Sequence, residues 1–157
     1  MARVYIETTI PSYYFETRTS PQVIAWRDAT RRWWDHYSHH YELVTSGFVV
    51  AELHRSPQPK SSQSLSLLDS VPLLDEAAGV RDVAAYYIEH QLMPKGAAGD
   101  AAHLAMASVH AIDFLLTWNC QHLANANKVR HLAVLNARLG LPVPVLATPM
   151  NLIPEEP

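Results

Sequence analysis

Two kinds of apolar run alternate along the chain. Short ones occur at residues 4–6, 43–45, 71–74, 114–117 and 143–147, each bounded by polar or turn-forming residues and each too short for a stable helix. Longer segments between them carry apolar residues at helical spacing. Pro11 can open a helix after the first strand, and 21–37 mixes Ile24, Trp33, Trp34 and Tyr37 with Arg27, Asp28, Arg31 and Arg32. Further helices are expected at 48–53, at 61–70 with Leu65, Leu67 and Leu68 facing inward, at 76–92, at 100–112 and at 125–139. Pro57, the Pro94-Lys95-Gly96 step, Gly140 and Pro142 supply stop signals. Strands alternating with helices predict a mainly parallel sheet covered on both faces, an α/β fold built as a three-layer α/β/α sandwich. There is no internal repeat, no low-complexity segment and no sign of a second domain in residues 1–157.

Composition adds bounds. With 157 residues, 48% hydrophobic and 17% charged, the chain can bury roughly 70% of its unfolded surface in one core. Cys120 is the only cysteine, which rules out an intrachain disulfide and a thiolate metal cluster and fits a reducing compartment. The opening residues lack the apolar stretch of a secretory signal, and the apolar region 101–116 is interrupted by His103, His110 and Asp113. A soluble, cytoplasmic protein with no membrane role is the expectation. The net charge of −3 argues against a broad basic surface that coats nucleic acid. It does not exclude a nuclease, because an acidic metal pocket lowers the total while Arg27, Arg31 and Arg32 can still guide a phosphate backbone.

Ligand sites in open α/β sheets form beyond the carboxyl ends of the strands. The first strand ends at Glu7, and 114–117 ends two residues before Asn119. Asp100 opens a helix, and Glu52 lies on the helix after the second strand. Carboxylate and amide oxygens are hard donors suited to Mg²⁺ or Mn²⁺.

VYIETTI, TSGFVVAEL, GDAAHLAMA and DFLLTWNCQHLAN, in that order and each in its expected strand or helix context, resemble the PIN-domain family. That family includes the ribonuclease toxins of VapBC toxin–antitoxin pairs, and TWNCQH resembles one subgroup of PIN-like proteins. The resemblance implies a PIN-like fold and a Mg²⁺- or Mn²⁺-dependent endoribonuclease, toxin-like, with RNA as substrate, an antitoxin partner and a homodimeric state. It places Glu7, Glu52, Asp100 and Asn119 at the four metal-binding, catalytic positions. Two depart from the usual aspartate: Glu7 adds a methylene, and Asn119 keeps an oxygen but loses a charge, which should weaken divalent-ion binding. Thr8 and Thr117 are candidates to orient ligands or water.

Each residue also has a plainer reading. Glu7 and Asp100 stand where helix caps are expected, and Glu52 suits a solvated helix face. His103, three residues after Asp100, has a ligand's spacing but also that of a buried histidine supporting the ligands. His110 lies ten residues from Asp100, about 15 Å along a helix, and is structural. His122 either contacts a phosphate or packs its loop. Trp33, Trp34 and Tyr37 read as core or interface before they read as base-stacking residues. The rival to a nuclease is a weakened or inactive PIN-like module that binds nucleic acid or protein, with Asn119 marking the decay. An aspartyl phosphotransferase is disfavoured because the first strand lacks paired aspartates.

Overall fold

A computed structural model describes residues 1–156. Five strands, β1 (Arg3–Ile6), β2 (Glu42–Ser46), β3 (Leu73–Leu74), β4 (Phe114–Leu116) and β5 (Val145–Ala147), form one sheet in the order β3-β2-β1-β4-β5. Every pairing is parallel. Successive side chains of a strand point to opposite faces. Val4, Tyr5 and Ile6 are nevertheless all fully buried, as are Leu115 and Leu116, so helices cover both faces. The α/β architecture expected from the alternating pattern is therefore the one observed.

Seven α-helices among the described residues complete it: α1 (Thr9–Tyr14), α2 (Pro21–Arg32), α3 (Gly47–His54), α4 (Lys60–Leu67), α5 (Val80–Glu89), α6 (Ala98–Val109) and α7 (Val129–Leu139). Several boundaries differ from expectation for local reasons. The second helix does run on to Tyr37, but through a π-helical turn at Trp33–Tyr37. The fifth starts at Val80 and not at residue 76, because Gly79 takes a left-handed conformation with φ of 92°. β3 and β5 shrink to Leu73–Leu74 and Val145–Ala147, since Pro72 and Pro144 have no N–H to donate. On α4 the buried residues are Ser61 and Ser64, while Leu65 and Leu67 are only partly covered and Leu68, just past the helix, is buried. Small side chains let α4 lie close to α1, where Ser64 faces Pro11.

At the end of α1, Glu16 collects the backbone N–H groups of Thr17 and Arg18, two bonds from the Arg18 guanidinium and one from Lys60. The Arg18 bonds outweigh its burial and hold its carboxyl down to about 2. Lys60 thereby ties α4 to the chain beyond α1.

The sheet order changes direction between β1 and β4, since the chain moves outward through β2 and β3 before returning to the other side of β1. Such a switch point opens a crevice at the strands' carboxyl ends. Ile6 pairs with Leu116, so Glu7 and Thr117 emerge side by side there.

Helix α6, which carries Asp100 and His103 to that crevice, is fastened by a buried polar knot. The Tyr87 hydroxyl of α5 donates to Asn136 Oδ1 of α7 at 2.6 Å and meets Ser108 Oγ of α6 at 2.9 Å. Asn136 Nδ2 donates to Ser108 Oγ and to the Pro142 carbonyl. Tyr87→Phe removes the shared hydroxyl and leaves Asn136 Oδ1 without its donor, so it should cost about 1–2 kcal/mol in urea unfolding with an unchanged denaturant slope.

Candidate functional site

Glu7 is the first residue beyond β1 and is only 3% exposed. A carboxylate there needs donors, and the adjoining sequence supplies them. Its Oε1 accepts the Thr9 backbone N–H at 3.1 Å, the Thr9 hydroxyl, and the Thr117 hydroxyl at 2.7 Å. Each threonine is held in turn: Thr9 Oγ1 accepts the Trp118 N–H, and Thr117 Oγ1 accepts the Asn119 N–H. Glu7 thus braces the first turn of α1 from the residue before its cap, Thr8, and also joins α1 to the end of β4.

Glu52 projects from α3 and repeats the pattern. Its Oε1 accepts the Thr8 hydroxyl at 2.9 Å and contacts His103 Nε2. His103 is fully buried, and its Nδ1 lies 2.8 Å from the Tyr5 hydroxyl, which contacts Ser46 Oγ at 2.6 Å. On both glutamates the bonds fall on Oε1, and no protein donor reaches Oε2 among the described residues. Among the described residues no fully buried side-chain oxygen lacks a partner, so each Oε2 keeps some exposed surface. Glu52 Oε2 reaches toward the start of α6, 3.5 Å from where a Cβ on Gly99 would stand.

Asp100 sits in the first turn of α6, and the helix begins at Ala98. It is therefore a first-turn acid, not the cap, with its charge acting on His103 one turn along and on Lys128. Asn119 follows the same crevice edge, but its Oδ1 accepts the His122 N–H at 3.0 Å and is turned into its own loop. His110 is structural: its ring meets the Asp75 carbonyl and its own carbonyl accepts from Arg3. Trp33 is core, fully buried with its indole N–H on the Leu152 carbonyl.

The electrostatics pull in opposite directions. Burial pushes the Glu7 carboxyl up, and the charge of His103 with the Thr9 and Thr117 bonds only partly offsets it. Burial also works upward on Glu52, yet the bond and charge of His103 with the Thr8 bond leave it below the usual range. His103 is raised: burial disfavours its cation, but the Glu52 bond and the charges of Glu7, Glu52 and Asp100 prevail. Displaced titrations clustered in a crevice are typical of functional sites.

The donor set of Glu7, Glu52 and Asp100 suits a hard divalent ion, and the free Oε2 atoms are available to one. As placed, no three His, Cys, Asp or Glu side chains among the described residues stand close enough to share an ion. Sharing therefore requires a rotamer change, and partly buried Glu52 has the room. Thr9, Tyr5 and Ser46 were not legible as site residues from spacing. The one available signal for Thr9 is the pair of threonines directly after a strand-ending acid.

Neither a family model nor a curated protein sequence matches this chain. Among solved structures, it resembles the crystal structure of FitAcB from Neisseria gonorrhoeae with a TM-score of 0.53 and 15% identity, over 95% of this chain and 99% of that one. At that identity the likeness concerns the fold. No helix among the described residues is long and apolar enough to cross a membrane.

A buried carboxyl with a raised pKa favours the native state below its unfolded value, near 4.5, and this advantage is lost as pH rises through the raised native value. Glu7→Gln, measured in EDTA, should therefore stabilise the protein at neutral pH by about 1–2 kcal/mol, or roughly 2–8 °C in Tm. The gain should shrink as pH falls toward 4.5, which thermal melts across that range would read.

Proposed function

We propose that this chain is a Mg²⁺- or Mn²⁺-dependent endoribonuclease of the PIN type, a toxin-like protein acting on RNA in the cytoplasm, with an antitoxin protein as partner and a homodimer as its assembled state. The observation that carries the proposal is the pair of glutamates at the switch point, each tethered through Oε1 with Oε2 left for a ligand. The FitAcB-like fold and the four ordered motifs support it.

Glu7, Glu52 and Asp100 would hold the ion, with Asn119 at the fourth position. A divalent ion in such a site supplies Lewis-acid polarisation of the phosphodiester and a more acidic bound water. The chain's own contribution is orientation. Thr9 and Thr117 fix Glu7, Thr8 and His103 fix Glu52, and Tyr5 with Ser46 fixes the His103 ring. This mesh fixes Glu7 firmly, while partly exposed Glu52 would still have to change rotamer to share an ion with it.

One observation favours the rival reading of a weakened nucleic-acid-binding or protein-interaction module: the Asn119 oxygen already serves its own loop. Asn119 therefore brings neither charge nor an uncommitted carbonyl. Asn119→Asp would keep the loop bond on one oxygen and offer a second, charged one.

Calorimetric titration with Mn²⁺ should show binding by the wild type, weakening of roughly tenfold or more in Asp100→Asn, and strengthening of about severalfold in Asn119→Asp. Equal, negligible heats from the wild type and Asp100→Asn would remove the metal site. Mn²⁺-dependent RNA cleavage should disappear in Glu7→Gln, and cleavage that survives that change would belong to another site.

A further inference from the structure

Trp118 stands between Thr117 and Asn119, the two residues that lead from β4 into the crevice, yet its side chain lies on α2. Only 4% of the residue is exposed. Its ring stacks on the half-buried indole of Trp26, with centroids 4.5 Å apart and planes 11° from parallel. Tyr13 of α1 closes a third side, its ring 5.5 Å from Trp26 and 6.1 Å from Trp118.

The polar atoms of this cluster have one way to bond. An indole N–H can only donate, and that of Trp118 donates at 2.7 Å to Oγ1 of Thr30, a fully buried residue of α2. The Thr30 hydroxyl then donates to the Trp26 carbonyl at 2.6 Å. The backbone N–H of the same Trp118 donates to Thr9 Oγ1 at 2.8 Å. A backbone N–H cannot accept, so the proton of the Thr9 hydroxyl is turned to Glu7 Oε1. Trp118 therefore carries a fixed donor at each end, its ring on α2 and its backbone on the group that orients Glu7. A closely packed ring passes a displacement to its own backbone instead of absorbing it.

We propose that Trp118 and Thr30 are positioning residues for the ion site, so that α2 sets how firmly Glu7 is held and thereby how tightly the crevice binds a divalent ion. This rests on the metal reading of Glu7 and adds a control from a helix that carries none of the four ligand positions. Outer partners that orient a ligand contribute to affinity although they never touch the ion. Glu52 has no such link, since its partners Thr8 and His103 reach it without α2.

The test compares Thr30→Val, which keeps the shape and removes the hydroxyl, with Thr30→Ser, which keeps the hydroxyl. In EDTA, hydrogen exchange at the Trp118 backbone N–H should quicken roughly tenfold in Thr30→Val and stay near the wild-type rate in Thr30→Ser. Calorimetric titration with Mn²⁺ should show binding weakened by roughly threefold to tenfold in Thr30→Val and restored in Thr30→Ser. Trp33→Phe deletes a different buried indole bond, to the Leu152 carbonyl, and should lower stability while leaving both readouts unchanged. The proposal is overturned if Thr30→Val leaves either readout unmoved, if Thr30→Ser fails to restore ion binding, or if Trp33→Phe weakens binding equally. Should Thr30→Val fail to fold, Trp118→Phe, which keeps a stacking ring and loses the same donor, takes its place. A wild type that binds no Mn²⁺ removes the metal reading and this inference with it, whereas binding that Thr30→Val leaves intact removes the inference alone.

Discussion

A carboxylate buried at the centre of a parallel sheet is the constraint around which this molecule is arranged. Glu7 leaves the end of β1, the middle strand, with 3% of its surface exposed. An ionised group in that position is costly unless donors surround it, and three converge on a single oxygen. Satisfying them fixes much else: the first turn of α1 through Thr9, the register of β4 through Thr117, and the path of the following loop through the Trp118 and Asn119 backbones. That loop is then pinned by Trp118, whose indole stacks on Trp26 at 4.5 Å and donates to Thr30. Local chain direction and site geometry are thus one arrangement.

Around Glu7 lies a second carboxylate whose balance is set differently. His103 is fully buried, yet its bond to Glu52 and the charges of Glu7, Glu52 and Asp100 outweigh burial and raise it, and the same bond pulls Glu52 down. Burial pushes the Glu7 carboxyl up despite the charge of His103, whereas at the less buried Glu52 the His103 bond and charge outweigh burial and pull the carboxyl down. A fold that tolerates such a group at its switch point gives up stability there, the usual accompaniment of a functional site.

Much of this was legible in the residues. Strand runs at 4–6 and 114–117 and the helical periodicity between them gave the parallel α/β layout, because sheets buried on both faces need short continuous apolar strands. The placement of the candidate acids was also visible, since Glu7 follows a strand, Asp100 stands in the first turn of α6 and Glu52 lies on the helix after β2, though no three such groups share an ion as placed. Hydroxyl and tautomer partners were not. Whether Thr8, Thr9 or Thr117 reaches a carboxylate depends on side-chain rotamers and strand register, which spacing does not encode. His103 is fully buried, but its bond to Glu52 spans 51 residues and arises only when α3 and α6 pack together. The inward turn of Asn119 was hidden for a similar reason: an asparagine bonding the N–H three residues on is a loop property, settled by local backbone angles.

The proposed metal site requires Glu7 and Glu52 to bring their free Oε2 atoms onto one ion, which they do not share as placed. Anomalous diffraction at the manganese edge from crystals grown with Mn²⁺ tests it most directly. The account predicts one strong peak bonded to Oε2 of both glutamates, with Asp100 alongside and the Thr9 and Thr117 bonds to Glu7 Oε1 retained. A well-ordered, fully exposed crevice with no peak, or a peak bound elsewhere with both glutamates unligated, would contradict it.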